Sequence, residues 1–338
     1  MDDIKMKRCF VLAQKGGRDT LSNPNVGCVI VHKNRIIGEG YHKFYGGPHA
    51  EIEALNSVSS DDIKLLPQAT LYVSLEPCSH FGKTPPCVHK IVASQIPEVV
   101  IGCLDPNPVV AGNGVKYLQA HGVKVRFSNT DEAKYIIRKF TINLQRKPYI
   151  TLKWAQSADG FIGRQDQKVW LSAPQTSILT HYWRSQSDAI AIGKNTFLTD
   201  RPQLTDRYHQ IDFQPRRILF DTNLSCIKEL TESTESSYII LNEKLDSVRG
   251  PHKCIKVDMK NLQKIMTILF QLGITSIIIE GGALLLNSFI KQNIWHEAII
   301  IKTAKDLSNG IKAPLLSGVR SMQYQVGTDT VYQIMNNK

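Results

Sequence analysis

Met6, Cys9, Phe10 and Ala13 recur at helical spacing over residues 4–15, and Gly16-Gly17 follows. The chain is therefore expected to open on an amphipathic helix closed by a glycine pair. Val26 to Val31 is a short apolar run rich in β-branched residues, and His32-Lys33-Asn34-Arg35 turns it into a hairpin partner over 35–40. The pattern then predicts a helix from His49, a strand from Ala69 to Leu75 and a helix from Cys87 to about Gln95. Strands over 99–102 and 123–127, with a helix over 115–120 between them, complete an α/β unit layered on one mixed sheet.

Ala133, Ile136, Ile137, Phe140 and Leu144 read as one further helical stripe, stopped at Gln145-Arg146-Lys147-Pro148. The domain boundary is placed there, giving residues 1–146 and 147–338. The second part starts again with a strand, Tyr149 to Trp154, and alternates helical segments with strands at 188–193, 216–220, 238–241, 254–257, 275–280 and 297–302. A second α/β domain is the simplest account. Residues 229–237, rich in Ser, Thr and Glu, are expected to form an exposed loop.

With 338 residues, 42% of them hydrophobic, the chain is long enough for two cores. No apolar run approaches the roughly 20 residues that span a bilayer, and MDDIKMKR is followed by no signal-type core, so a cytoplasmic protein without membrane attachment is expected. Seven cysteines without framework spacing point to reduced thiols. The net charge of +11 is spread along the chain without a dense basic run, which suits small phosphorylated ligands better than specific nucleic-acid binding.

The candidate chemistry gathers in His49-Ala50-Glu51 and LEPCSHFGKTPPC. His49, Cys78 and Cys87 supply three zinc ligands, and a three-ligand set leaves one tetrahedral position for water. Glu51, two residues from His49, is placed as general acid/base rather than ligand. This is the H-x-E…P-C-x-x-C logic of zinc deaminases of nucleobases, except that eight residues instead of two separate the cysteines. A purely structural zinc site is the alternative.

SNPNVGCVIV, GYHKFYGGPHAE, LEPCSHFGKTPPC and DPNPVVAGNG closely resemble the deaminase domain of the bifunctional riboflavin-biosynthesis deaminase/reductase family. TLKWAQSADGFI, VWLSAP, GKNTFLTDRPQLTDR, RRILFDTNL and IIIEGG resemble its reductase half. The resemblance implies a cytidine-deaminase-like domain followed by a dihydrofolate-reductase-like domain. It implies zinc-dependent deamination of a diaminopyrimidine ribosylamino phosphate, then reduction of its ribosyl group to ribityl with NADPH. Asn23, His42, His80 and Lys83 would contact the first substrate. Ala155, Trp170, Thr196, Asp200, Thr222, Gly281 and Gly282 would hold NADPH. Lys168, Arg184, Leu204, Arg207 and Glu280 would meet the second substrate, with Lys153 and Glu280 assisting reduction.

Read alone, the second site shows no G-x-G-x-x-G after a strand. It offers an apolar strand, Gly281-Gly282 and a helix start, which suit a phosphate but also suit a tight turn. Lys153 lies in an apolar strand, where an unpaired ammonium is costly to bury, so a paired or functional role is expected. Glu280 could instead cap the following helix. Asp105 and Asn107 in DPNP read as turn formers. The chain departs from the family at Asn113, where a basic residue is usual, at Lys168, where a small hydroxyl residue is usual, and in SADGF. Two other readings stay open: a tRNA or nucleoside deaminase with an accessory domain, and a basic scaffold held by structural zinc. Homo-oligomerisation is compatible with all three.

Overall fold

The computed structural model describes residues 2–81, 85–128, 130–165, 168–209, 214–232, 237–316 and 318–336. The chain divides into two compact units, Met1–Gln145 and Arg146–Lys338.

The first unit runs α1 (Asp2–Gln14), β1 (Gly27–His32), β2 (Arg35–Tyr41), α2 (Ala50–Asn56), a 3-10 turn (Ile63–Gln68), β3 (Thr70–Val73), α3 (Cys87–Ala93), β4 (Glu98–Ile101), α4 (Asn113–Ala120), β5 (Lys124–Phe127), α5 (Asp131–Ile136) and α6 (Arg138–Asn143). Its sheet has the order β2-β1-β3-β4-β5. β1 is antiparallel to both neighbours, and β3, β4 and β5 are parallel. Lys33 and Asn34 both have positive φ, 46° and 68°, which matches the two-residue turn that a right-twisted hairpin favours. The stripe on α1 is buried as expected, and a Cβ on Gly27 would stand 2.0 Å from the Cys9 carbonyl oxygen, so only glycine lets α1 lie this close to β1.

The stripe from Ala133 to Leu144 forms two helices, not one. Ile137, at φ −91° and ψ 7°, separates α5 from α6. Ile136 and Ile137 are both buried, and adjacent residues on one straight helix point about 100° apart, so the break lets both reach the core.

The second unit contains β6 (Tyr149–Gln156), β7 (Phe161–Gly163), α7 (Pro174–Ser185), β8 (Ala189–Gly193), α8 (Lys194–Asp200), β9 (Arg216–Phe220), α9 (Ile227–Glu232), β10 (Tyr238–Asn242), β11 (Ser247–Arg249), β12 (His252–Lys256), α10 (Leu262–Gln271), β13 (Ser276–Ile279), α11 (Ala283–Lys291), β14 (Glu297–Lys302), β15 (Ile311–Lys312), β16 (Val319–Val326) and β17 (Asp329–Met335). Ten strands form one sheet in the order β11-β12-β10-β9-β8-β13-β6-β14-β17-β16, parallel from β12 to β14 and antiparallel at both ends. Burial on both faces explains the unbroken apolar runs of β8 and β13.

The expected loop at 229–237 is corrected at its start. α9 covers residues up to Glu232, with Leu230 buried against the cluster that includes Leu219 and Tyr238; residues 233–236 lie outside the described ones. Ile227 and Leu230, three apart, carried the helical signal beneath the polar composition. The closing hairpin β16–β17 has no counterpart in the sequence reading, although Met322, Tyr324 and Val326 alternate with Gln323 and Gln325 at the period of a half-buried strand.

Candidate functional site

In the first unit, β3 leads into Glu76-Pro77-Cys78, α2 begins after His49, and Cys87 is the first residue of α3. These three segments bring the predicted donors together. His49 Nδ1 lies 3.5 Å from Cys78 Sγ and 3.3 Å from Cys87 Sγ, and all three ligand atoms lie within 4.8 Å of one another. Tetrahedral zinc with ordinary Zn–N and Zn–S bonds sets an N-to-S edge of about 3.6 Å, so donor type and spacing fit that ion. The Cys87 N–H donates to Cys78 Sγ at 3.3 Å. Hydrogen bonding from Cys87 and from His49 draws the Cys78 thiol down to about 4, and the same contact with Cys78 raises His49 to about 9. The set thus favours a thiolate beside a cation, a place that a divalent metal takes in exchange for the proton.

Glu51, in the first turn of α2, is buried. Burial pushes its carboxyl up to about 7, against the pull of His49. His42 packs edge-on to His49 with ring centroids 5.4 Å apart. Its Nδ1 lies 2.9 Å from the Pro48 carbonyl, which can only accept, so Nδ1 carries the proton and Nε2 accepts from Asn23 Nδ2 at 3.1 Å. The structure therefore gathers Asn23 and His42 at the metal ligands. His80 is exposed, and Lys83 lies outside the described residues.

Glu76 had no part in the sequence reading. Its buried carboxylate accepts from the N–H groups of Asp105, Gly112, Gly114 and Val115 at 2.9–3.2 Å, tying the strand end that carries Cys78 to the following loop and the start of α4. Asp105 forms the expected turn through Asn107 N at 2.8 Å. It also faces the site: burial raises its carboxyl, with His80 and Cys78 among the charges acting on it.

The second cluster lies at the carboxyl ends of the parallel strands, where open α/β sheets bind ligands. Glu280 follows β13, and Lys153 lies on the adjacent β6 with its Nζ 3.9 Å from Glu280 Oε2. Arg184 of α7 grips Glu280 with two hydrogen bonds of 2.7 and 2.9 Å and donates to the Thr205 carbonyl at 3.1 Å. All three charged groups are largely buried. Burial alone raises a carboxyl, yet Arg184 and then Lys153 hold Glu280 down at about 2. Burial depresses Lys153, an effect that Glu280 only partly offsets. Glu280 makes this ion cluster instead of capping α11, whose preceding residue Gly282 makes no side-chain cap.

Gly281 lies against β8: a Cβ there would stand 2.7 Å from Gly193 N and 2.9 Å from Ile192 Cα. Gly282 N–H donates to Thr196 Oγ at 2.7 Å. Two helix starts and a backbone kept bare by glycine fit a cofactor pyrophosphate. Asp200, whose carboxyl is raised by burial, accepts at its carbonyl from Lys168 Nζ at 3.2 Å. Trp170 is 60% exposed, an indole face open to stacking, with its carbonyl held by Lys305 Nζ at 2.8 Å. Ala155 is half-buried on β6, and Thr222 is exposed just beyond β9. Leu204 is 2% exposed within the apolar core, so any contact it makes with a ligand comes from its main chain. Arg207 is exposed beside Gln203 and His181.

Residues 1–103 match the cytidine and deoxycytidylate deaminase zinc-binding region, and residues 148–305 match the RibD C-terminal domain. The riboflavin biosynthesis protein RibD of Aquifex aeolicus is 35% identical over 335 residues, covering 96% of this chain and 92% of its own. A solved deaminase/reductase from Thermotoga maritima matches with a TM-score of 0.86 at 30% identity, over 99% of this chain and 98% of that one. RibD of Acinetobacter baumannii matches with a TM-score of 0.84 at 29% identity, over 100% and 99%. With both halves of the chain matched at this extent and both residue clusters in place, the chain belongs to the RibD family of bifunctional riboflavin biosynthesis proteins.

Proposed function

We propose that residues 1–146 deaminate a diaminopyrimidine ribosylamino phosphate to the corresponding uracil, and that residues 147–338 then reduce its ribosyl group to ribityl. One observation carries the reading: a single chain holds the His49/Cys78/Cys87 donor set beside buried Glu51, and also the Lys153/Glu280/Arg184 cluster at the strand ends of its second unit. When bound, zinc activates water for attack on the amine-bearing ring carbon, and NADPH supplies the reducing equivalent.

Glu51 carries one proton from the attacking water to the ring nitrogen, where it stays, and then a second, from the newly added hydroxyl, to the departing amino group, which leaves as ammonia. A carboxyl held near neutrality by burial suits both directions of transfer. Because His42 accepts from the Asn23 amide N–H, Asn23 Oδ1 is turned to accept from the pyrimidine. His80 and Lys83 take the ribose phosphate.

In the second unit Glu280 stays ionised at working pH and donates no proton. Lys153 is the donor: its Nζ protonates the ribose ring oxygen as the ring opens, and its depressed pKa eases that transfer. Ala155, Trp170, Thr196, Asp200, Thr222 and the Gly281-Gly282 turn hold NADPH. Lys168, Arg184, the Leu204 main chain, Arg207 and Glu280 surround the substrate. The partner is a small phosphorylated pyrimidine, with no specific nucleic acid, in a cytoplasmic enzyme that is free to form homo-oligomers. No helix among the described residues is long and apolar enough to cross a membrane.

The test supplies the purified protein with zinc, NADPH and the diaminopyrimidine substrate. Ammonia release and NADPH oxidation in equal amounts is the expected result. Ammonia without NADPH oxidation, or neither, contradicts it.

A further inference from the structure

His181, absent from every assignment above, is 2% exposed on α7, one helical turn before Arg184. Three consecutive residues of the 203–208 segment meet its ring. Arg207 N–H donates to Nδ1 at 3.1 Å, Asp206 Oδ1 lies 3.4 Å from the same nitrogen, and Tyr208 packs edge-on with centroids 4.7 Å apart. Nδ1 therefore carries a lone pair, and the imidazole is neutral. Burial first, then the Arg184 and Arg207 guanidiniums, lower its pKa to about 4.

The segment it meets is strained. Leu204 has φ +52°, a left-handed conformation that a leucine adopts only when its surroundings impose it. Those surroundings are a ring of clamps: Arg217 Nε to the Gln203 carbonyl at 2.8 Å, Arg184 Nη1 to the Thr205 carbonyl at 3.1 Å, and a reciprocal pair between Gln214 and the Asp206 main chain at 2.9 and 3.0 Å. The Arg207 head group, by contrast, is exposed. Its hydrogen-bond acceptor is Gln203 Oε1, and its Nη2 faces His181 Nε2 at 3.3 Å, where two donors meet if Nδ1 is the acceptor. The main chain at Arg207 is fixed while its guanidinium remains available to an anionic ligand.

We propose that His181 is a positioning residue of the reductase: its Nδ1, accepting the Arg207 N–H, holds the strained 203–208 segment so that Arg207 is presented to the phosphorylated substrate. This rests on the assignment of Arg207 to the substrate. The test uses the full chain, steady-state NADPH oxidation with the deaminated substrate, and deaminase turnover as an internal control. Asparagine places an oxygen where Nδ1 lies; leucine fills the volume without an acceptor. His181→Leu is expected to raise KM for the substrate about 10-fold with kcat within about twofold, and His181→Asn to restore most of the loss. A volume-filling role gives the opposite order, leucine above asparagine, and overturns the proposal. Exposed Gln214→Ala, which breaks the neighbouring clamp, should raise the same KM even if His181→Leu does not fold. Arg207→Ala separates the two claims. If it raises KM while His181→Leu and Gln214→Ala leave KM unchanged, the positioning role is wrong. If Arg207→Ala also leaves KM unchanged, Arg207 does not meet the substrate and the proposal falls with that reading.

Discussion

Glu280→Gln removes a carboxylate charge that pairs with two largely buried cations, Lys153 and Arg184, while keeping the side chain's shape. The 3.9 Å separation from Lys153 corresponds to about 4 kcal/mol of attraction at an effective dielectric constant of about 20. A second route uses the carboxyl itself: depression from 4.5 to about 2 corresponds to about 3 kcal/mol. The two partners do not tell the same story, because Lys153 is depressed despite its ion pair, burial and Arg184 outweighing Glu280. We take about 3 kcal/mol, since the carboxyl's own value already contains its burial cost. The sign follows from linkage. A depressed carboxyl stabilises the fold above its unfolded value of about 4.5, and that stabilisation is lost as pH falls towards 2. Thermal unfolding of the reductase unit followed by circular dichroism should therefore show the variant melting about 6–12 °C lower at neutral pH, the gap closing in acid. Kinetics provide an independent readout. If Lys153 is the proton donor proposed above, kcat for reduction falls as pH rises through its pKa, and removing Glu280, which raises that pKa, moves the alkaline limb to lower pH. A variant that melts with the wild type and keeps its pH limb would refute this account of the cluster.

Cys78→Ser or Cys87→Ser should lose both zinc and deaminase activity, checked by metal analysis and ammonia release, because each removes a thiolate from a three-donor site. Glu51→Gln should keep zinc and fold while deamination drops about 100-fold to 10,000-fold, the usual worth of general acid/base catalysis. Gly281→Ala should abolish NADPH binding in fluorescence titration and leave deamination intact, since the new methyl meets main-chain atoms of β8 at 2.7 and 2.9 Å. NADPH should be preferred to NADH in kcat/KM, a 2′-phosphate finding basic partners in a unit rich in Lys and Arg; equal use of both would count against the cofactor assignment.

The metal donors could be read from sequence because each sits at the edge of a regular element: His49 before a helix, Cys78 after a strand, Cys87 opening a helix. Lys153 was legible for a different reason, as a charge inside an apolar strand. Glu76 and His181 were not legible. Glu76 meets its partners 29 to 39 residues away, and His181 meets Arg207 26 residues away, so no local pattern announces either. Asp105 shows a subtler limit: the turn reading was right, yet the same carboxyl also lies within electrostatic reach of Cys78 and His80. The break at Ile137 escaped because periodicity records which positions are apolar and not whether one straight axis can bury them all.

Two sites on one chain is the central claim, and Glu51→Gln tests it most directly through NADPH oxidation measured with each substrate in turn. Wild-type oxidation is expected when the deaminated substrate is supplied and almost none with the diaminopyrimidine, because reduction follows deamination while the Lys153/Glu280/Arg184 cluster lies wholly in the second unit. Loss of oxidation with the deaminated substrate, in a variant whose circular dichroism matches the wild type, would contradict it.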